Sequence, residues 1–308
     1  MSQFKSLFGL LKTFPNEQKC IKYLEKVLWK GTLPTSPFDP TSKVYPCANN
    51  RYRCKNTGKY FNIKSTTIFR NSKIPLRTWF YALYELAINK KGISSHQLAK
   101  DTEITQKSAW FVLQRLRYTF QSPIFKTMLE GVVEIDETFV GGKNKNRHWN
   151  KKVPNSQGRS WKDKVPILGI IERNGNLITQ VIPNTQQQTI EPIIKANVKE
   201  GSDVYTDEWF AYQDLHKWFD HQIVNHRIKQ YVNGKVSVNS MESAWACLKR
   251  SIYGIYHKVS KEHLPKYVNE FTLRFNTQKY KVQEAFDLVL LSTVGKSLTY
   301  GELISVLL

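Results

Sequence analysis

Between Gly131 and Gly142 the chain reads Gly-Val-Val-Glu-Ile-Asp-Glu-Thr-Phe-Val-Gly-Gly, and no other stretch restricts its fold as much. Val132, Val133, Ile135, Phe139 and Val140 are β-branched or aromatic, and glycines close both ends, which is the pattern of a buried strand. Aspartate inside such a strand is disfavoured by propensity and by burial. It stays there only where a metal ion or a hydrogen-bond network offsets its desolvation. Asp136 is therefore the first candidate functional residue.

The elements that follow give this strand a context. Val165–Arg173 and Leu177–Pro183 are strand-like and flank Asn174-Gly175-Asn176, a strong hairpin signal. Thr185 can cap a helix running to about Glu200, with Ile190, Ile193, Ile194 and Val198 on its inner face. Ser202–Asp207 reads as a short strand leading into a helix from Glu208, and Gln222–His226 as a fifth strand. Two long helices, about 240–257 and 260–277, come next. The order β-β-β-α-β-α-β-α predicts an α/β fold: a ribonuclease H-like mixed five-stranded sheet with flanking helices. That fold carries carboxylates in the middle of its first strand, at the end of its fourth, and on the helix after its fifth. Asp136, Asp207 and Glu242 occupy those places. Lys249 lies seven residues beyond Glu242, close to two helical turns, and so on the same face.

Two divalent cations about 4 Å apart, held by shared carboxylates, support in-line displacement at phosphorus. Hard oxygen ligands select Mg²⁺ or Mn²⁺. Each residue also has a plainer role open to it. Asp207 can cap the helix after its strand. Glu242 can complete a capping box with Asn239. The Asn239 amide oxygen can itself replace Glu242 as a ligand.

Ahead of this core, apolar positions at helical spacing over residues 3–29 predict two short helices split by Phe14-Pro15-Asn16. Lys12 interrupts the first apolar run and no small-residue cleavage site follows, so a helix is expected there and not a signal peptide. Residues 29–65 turn polar, proline-rich and β-like. Cys54-Lys55-Asn56-Thr57 resembles the second knuckle of a zinc ribbon with one cysteine lost, and the first knuckle, Ser36-Pro37-Phe38-Asp39, has none. Tetrahedral zinc needs four ligands, and Cys54 alone remains in register, so no zinc is expected: the stretch reads as a ribbon-shaped β module that has lost its ion or, equally, as an ordinary small β segment. Ile74–Leu98 reads as helix, with Pro75 in its first turn. From Gly92 a second pattern begins, with Ser94 or Ser95 capping a helix to about Asp101. Thr105 caps a further helix from Gln106 to Arg117. Together these predict a helix-turn-helix within 72–120. Its expected DNA contacts are Gln106, Lys107, Ser108, Arg115 and Arg117.

Lysine and arginine number 46 against 25 acids, a net charge of +21, which favours a nucleic-acid partner. A basic loop holding Lys143, Lys145 and Arg147, with Trp149 and Trp161, suits a grip on a DNA strand or end. No run approaches 18 apolar residues, so no membrane span is expected. The four scattered cysteines suit a reducing, cytoplasmic compartment.

Glu-Ile-Asp-Glu-Thr-Phe-Val-Gly-Gly, Val-Tyr-Thr-Asp-Glu-Trp-Phe-Ala-Tyr, Val-Asn-His and Asn-Ser-Met-Glu-Ser-Ala-Trp-Ala-Cys-Leu-Lys-Arg-Ser-Ile-Tyr-Gly resemble the ISXO-type insertion-sequence transposases. So does Ile-Phe-Arg-Asn-Ser-Lys-Ile-Pro-Leu-Arg-Thr-Trp-Phe, followed by Lys-Gly-Ile-Ser-Ser. These transposases form insertion-sequence family fifteen ninety-five of the DDE superfamily, and the resemblance runs from about Leu24 to Asn276. It implies an acidic triad of Asp136, Asp207 and either Glu242 or Asn239, binding a pair of Mg²⁺ or Mn²⁺ ions as cofactor. It implies Lys249 near the scissile phosphate, with Arg250 beside it, and a DNA-side role for His226. The partners implied are the element's terminal inverted repeats and target DNA, in a homodimer or larger assembly, nucleoid-associated in a bacterium. The expected organisation is N-terminal helices (1–28), the degenerate ribbon (29–65), the helix-turn-helix region (72–120), the catalytic domain (128–280) and a C-terminal tail (281–308). The lost ribbon cysteines leave two other outcomes open: a DNA-binding protein without the chemistry, or a nuclease that cuts without joining.

Overall fold

The computed structural model describes residues 4–121, 128–142, 144–154, 160, 162–224 and 236–305. The chain divides into two units, one formed by residues 1–124 with 277–308 and the other by 125–276.

The first unit begins with α1 (Leu7–Thr13) and α2 (Glu17–Trp29), whose caps Ser6 and Asn16 accept the N–H groups of Gly9 and Lys19. A small antiparallel sheet follows, with β1 (Val44–Cys47), β2 (Arg51–Cys54) and β3 (Tyr60–Phe61) in that order. The helix expected over 74–98 is two: α3 (Leu76–Ile88) and α4 (Ser95–Thr102), with Ser94 capping the second. α5 (Gln106–Thr119) is capped by Thr105. Rings of Phe4, Phe14, Tyr23, Phe80 and Phe286 pack together, with centroids as close as 4.9 Å between Phe14 and Tyr23.

Phe286 comes from the segment expected to be a tail. That expectation is corrected: residues 282–291 form helix α9 (Val282–Leu291), and α10 (Tyr300–Ser305) follows it. The reason is amphipathic spacing, since Ala285, Phe286, Val289 and Leu290 are all buried on one face of α9. Tyr23 donates to Asp287 at 2.6 Å, fixing α9 to α2.

The second unit is built on a five-stranded mixed sheet. Its strands are β4 (Val132–Val140), β5 (Val165–Glu172), β6 (Leu177–Val181), β7 (Asp203–Asp207) and β8 (Asp220–Val224), in the spatial order β6-β5-β4-β7-β8. β4 runs antiparallel to β5 and β5 to β6, while β7 pairs in parallel with both β4 and β8. The hairpin predicted at Asn174-Gly175 joins β5 to β6, with Asn174 at φ 60°. β5 is buried along Pro166–Ile171, as a strand covered on both faces must be.

One face of the sheet carries α6 (Gln187–Asn197), whose Ile190 and Ile194 pack with Val133, Ile135, Leu168, Ile170 and Val204. The other carries α7 (Asn239–Ser251) and α8 (Leu264–Thr277), whose Met241, Trp245, Leu248 and Phe271 pack with Val140, Ile167 and Ile171. The helix expected from Glu208 is instead two short 3-10 turns, Phe210–Tyr212 and Leu215–Lys217, which bury Tyr212 and Leu215. α7 ends in a single π-helical stretch, Ile252–Tyr256. Among the described residues no helix is long and apolar enough to cross a membrane.

Candidate active site

β4 alternates, and the alternation decides what Asp136 faces. Val133 and Ile135 point into the α6 core, so Glu134, Asp136, Thr138 and Val140 point toward α7. On β7, Val204 shares the α6 face, which leaves Tyr205 and Asp207 on the α7 side. The last pair of the parallel ladder is Glu134 with Tyr205, and two further residues along that register Asp136 comes level with Asp207. The two aspartates thus stand on neighbouring strands and on the same face. Asp207 is 7% exposed and Asp136 half-buried.

Asp207 also accepts the Trp209 N–H at 3.0 Å, which turns the chain sharply at the end of β7. Its expected role as a cap survives in this form, as a turn and not at a helix. The turn swings Tyr212 under the sheet, where it is fully buried. Burial holds the Tyr212 hydroxyl well above its usual range, and the charges of Glu137, Asp136 and Asp207 push it the same way. One hydroxyl thus senses three carboxylates, so negative charge is concentrated at this end of β4 and β7.

α7 is brought to the pair by two devices. Gly169 lies opposite Asp136 on β5, and a Cβ there would stand 2.5 Å from the Trp245 ring and 2.6 Å from Met241 Cε. The missing side chain lets α7 lie tightly on the sheet. The second device is Glu134, fully buried one pleat before Asp136. Its Oε2 accepts the N–H groups of Ser240 (2.8 Å) and Met241 (3.1 Å), and its Oε1 accepts from Ser240 Oγ (3.0 Å) and Arg173 Nε (2.7 Å). Arg173 also reaches the Ser237 carbonyl at 3.0 Å and hydroxyl at 2.7 Å.

Asn239 is the first residue of α7 and no side chain of the preceding Val238 caps the helix, so the capping box proposed for Asn239 and Glu242 is replaced by the Glu134 contacts. Asn239 and Glu242 are both exposed in the first turn, as are Lys249 and Arg250 farther along. Among the described residues no three His, Cys, Asp or Glu side chains are gathered closely enough to hold a metal ion. The structure therefore brings together Asp136 and Asp207, and leaves Glu242 outside that immediate group.

The donor set fits a hard divalent cation. Two carboxylates side by side on one face offer acceptor oxygens only, and their mutual repulsion falls when a cation sits between them.

The other expected site residues are dispersed. Lys145 is exposed, whereas Arg147 turns inward to the Asp163 carbonyl at 3.1 Å. Lys143, Trp161 and His226 lie outside the described residues. In the first unit Gln106 and Lys107 are exposed and Ser108 half-buried at the start of α5. Arg115 and Arg117 are 5% and 1% exposed, which corrects their expected place on a DNA-facing surface. Arg115 lies over the rings of Trp79 and Phe111 and donates to the Arg70 carbonyl, so its stem and charge are both used inside. Cys54 is enclosed. Burial pushes its thiol up, but hydrogen bonds from Ser36, Ser42 and Thr57 outweigh this and bring it down to about 6.

Glu134, Glu137, Arg173 and Tyr212 were not singled out by sequence reasoning. The available signal was three acids within four positions of an otherwise apolar strand.

The second unit is a mixed α/β domain with an acidic pair on neighbouring strands, and the comparisons with known proteins give its class: a transposase-type domain. The model of the ISXO2-like transposase domain matches residues 128–276. An uncharacterized protein in transposable element ISH50 of Halobacterium salinarum is 28% identical over 297 residues, covering 91% of this chain and 98% of its own. An uncharacterized transposase-like protein of Haemophilus influenzae is 34% identical over 106 residues, 34% of this chain and 85% of its own. The chain belongs to the ISXO2-like transposase family. A solved structure, the Mos1 strand transfer complex, covers 73% of this chain and 81% of its own at 12% identity, but with a TM-score of 0.29 the likeness is too loose to align site residues.

Proposed function

We propose that this chain is the transposase of an insertion sequence, which binds the element's terminal repeats, cuts a phosphodiester at the element end and joins the freed 3′-hydroxyl to target DNA. The observation that carries this reading is the shared register and face of Asp136 and Asp207. Bound Mg²⁺ or Mn²⁺ ions would polarise the attacking oxygen and neutralise the leaving one. Asp136 and Asp207 would hold them, with Glu242 or Asn239 closing in from the first turn of α7. The Asp207–Trp209 turn fixes one carboxylate oxygen in place, so that ligand is oriented before any ion arrives. Lys249 and Arg250, exposed on the same helix, would take the phosphates on either side of the cut.

In the first unit, Gln106, Lys107 and Ser108 are the residues at the exposed start of α5, and they would meet DNA there together with the net positive charge. Two ends must be joined in one event, so the working form would be a dimer or larger assembly on DNA.

A strand-transfer assay on DNA carrying the element's own ends, with Mg²⁺, tests the proposal. Cleavage with joining is the expected result, and Asp136→Ala should lose both steps while still binding ends. Cleavage alone would make the protein a nuclease, and binding alone a DNA-binding relative that has lost the chemistry.

A further inference from the structure

α7 presents a puzzle that Glu134 resolves. A helix start leaves several N–H groups without partners, and a residue next to it in sequence normally supplies the cap. Here Val238 supplies none, and the partner is a carboxylate more than a hundred residues earlier: the Ser240 and Met241 N–H groups both point at Glu134 Oε2. A fully buried carboxylate is costly unless donors surround it. Glu134 has four: two helix N–H groups, the Ser240 hydroxyl and the Arg173 guanidinium. Arg173 in turn grips Ser237 just ahead of the helix, and its guanidinium lies 5.1 Å from the Tyr205 ring on β7.

Holding α7 against the sheet does not require this network. Met241, Ala244, Trp245 and Leu248 already bury an apolar face there. Apolar contact is not directional, however, and lets a helix slide or rotate by fractions of a turn. Hydrogen bonds to one fixed carboxylate do not. The fixed turn is the one that carries Asn239 and Glu242, and the fixing group is two residues from Asp136 on the same face of the same strand. The exposed Glu242 carboxylate makes no hydrogen bond or ion pair among the described residues, so it is left available.

We propose that Glu134 is a positioning residue: with Arg173 it sets the rotation and depth of the first turn of α7, and so aims Asn239 and Glu242 at the ions held by Asp136 and Asp207. It acts through α7 and does not itself bind the ions. The inference rests on the reading of Asp136 and Asp207 as metal ligands.

The test uses full-length Glu134→Gln and the milder Ser240→Ala, which removes only the hydroxyl contact, with Asp136→Ala as reference. Mn²⁺ binding is followed by electron paramagnetic resonance of the free ion, and amide exchange at Ser240 and Met241 is read in metal-free protein. In Glu134→Gln both amides should lose protection while β4 stays protected, and Mn²⁺ should bind about 10- to 100-fold more weakly, as when the group that orients a ligand is removed. Ser240→Ala should weaken Mn²⁺ binding about fivefold, the size of one lost hydrogen bond. Unchanged Mn²⁺ affinity in a variant whose amides have opened would overturn the proposal, leaving Glu134 a structural cap only. Should Glu134→Gln not fold, Ser240→Ala decides: an unchanged Mn²⁺ affinity in that variant overturns the proposal. If wild type and Asp136→Ala bind Mn²⁺ equally, it is the reading of the aspartates that fails, a result separate from either outcome for Glu134.

Discussion

Around Cys54 and at the end of β7 this chain gathers polar side chains, but the two groups differ in what they can donate. In the first, Ser36 Oγ accepts the N–H groups of Phe38 and Asp39 at 3.2 and 3.3 Å. Hydroxyls of Ser36, Ser42 and Thr57 converge on the thiol, and Asp39 is tied to Thr41 and Asn56. These acceptors all have donors, so the small sheet closes on hydrogen bonds. At the second, Asp136 and Asp207 share one face of neighbouring strands, Asp207 accepts the Trp209 N–H at 3.0 Å, and ionised carboxylates contribute acceptor oxygens only. The first group closes on its own hydroxyl donors, and the second presents the oxygens that the proposed function would give to a cation.

The sharpest break of this comparison is Asp136→Ala. Under the proposed function Asp136 holds an ion that stabilises transition-state charge by several kcal/mol, so its loss should cut strand cleavage by about a thousandfold or more. Thermal melts with and without Mn²⁺ should show a metal-dependent shift in wild type that the variant lacks. A variant that still cleaves at more than about a tenth of the wild-type rate would place the chemistry elsewhere.

Gly169→Val comes next, because it moves α7 without touching an acid. Its branches would enter space already taken by Trp245 and Met241, and overpacking of this kind costs about 3 kcal/mol. Calorimetry should show the loss in the second unit, and strand cleavage should fall with it. Full stability in the Gly169→Val variant would mean that α7 shifts freely, contrary to the fixed first turn.

Much of this could be read from the sequence. The strand with Asp136, the Asn174-Gly175 hairpin and the cap at Thr105 all rest on local chemistry, and they are where short-range rules put them. What escaped depends on distant partners. Arg115 and Arg117 sit at helix positions that look solvent-facing by type, yet Trp79 and Phe111 offer Arg115 an aromatic bed that only tertiary packing creates. The segment after Asp207 has helical composition, but Asp207 spends its oxygen on Trp209 and tightens the turn. Glu134 looked like an ordinary polar alternate in a strand, since nothing near it in sequence announces a helix end.

The ribbon side of the comparison is sharpened by Ser36→Ala. Ser36 is 1% exposed, and its loss strands two N–H groups and one donor to Cys54. A cost of about 2 kcal/mol is expected for such a buried deletion. Exchange protection of β1–β3 should drop in this variant, while EDTA should leave the wild-type ribbon unchanged. Loss of that protection in EDTA would show that a metal holds the ribbon after all.

The smallest effect separates the two units by pH. The Cys54 thiol is brought down from 9.0 to about 6 in the folded chain. Between those values the unfolded state holds the proton and the folded state does not, so stability rises with pH from about 6 to 9. In the second unit burial, aided by His216, draws His221 down from 6.5 to about 4, with Thr206 Oγ1 2.9 Å from its Nε2. There the unfolded state again takes the proton first, so stability falls as pH drops from 6.5 toward 4. Unit-resolved hydrogen exchange across the range should find the upper slope in β1–β3 and the lower in β7–β8. Cys54→Ser should flatten only the first and His221→Gln only the second. If Cys54→Ser keeps the upper slope, the thiol is not the charge that the three hydroxyls hold, and the account of a ribbon closed by hydrogen bonds loses its electrostatic half.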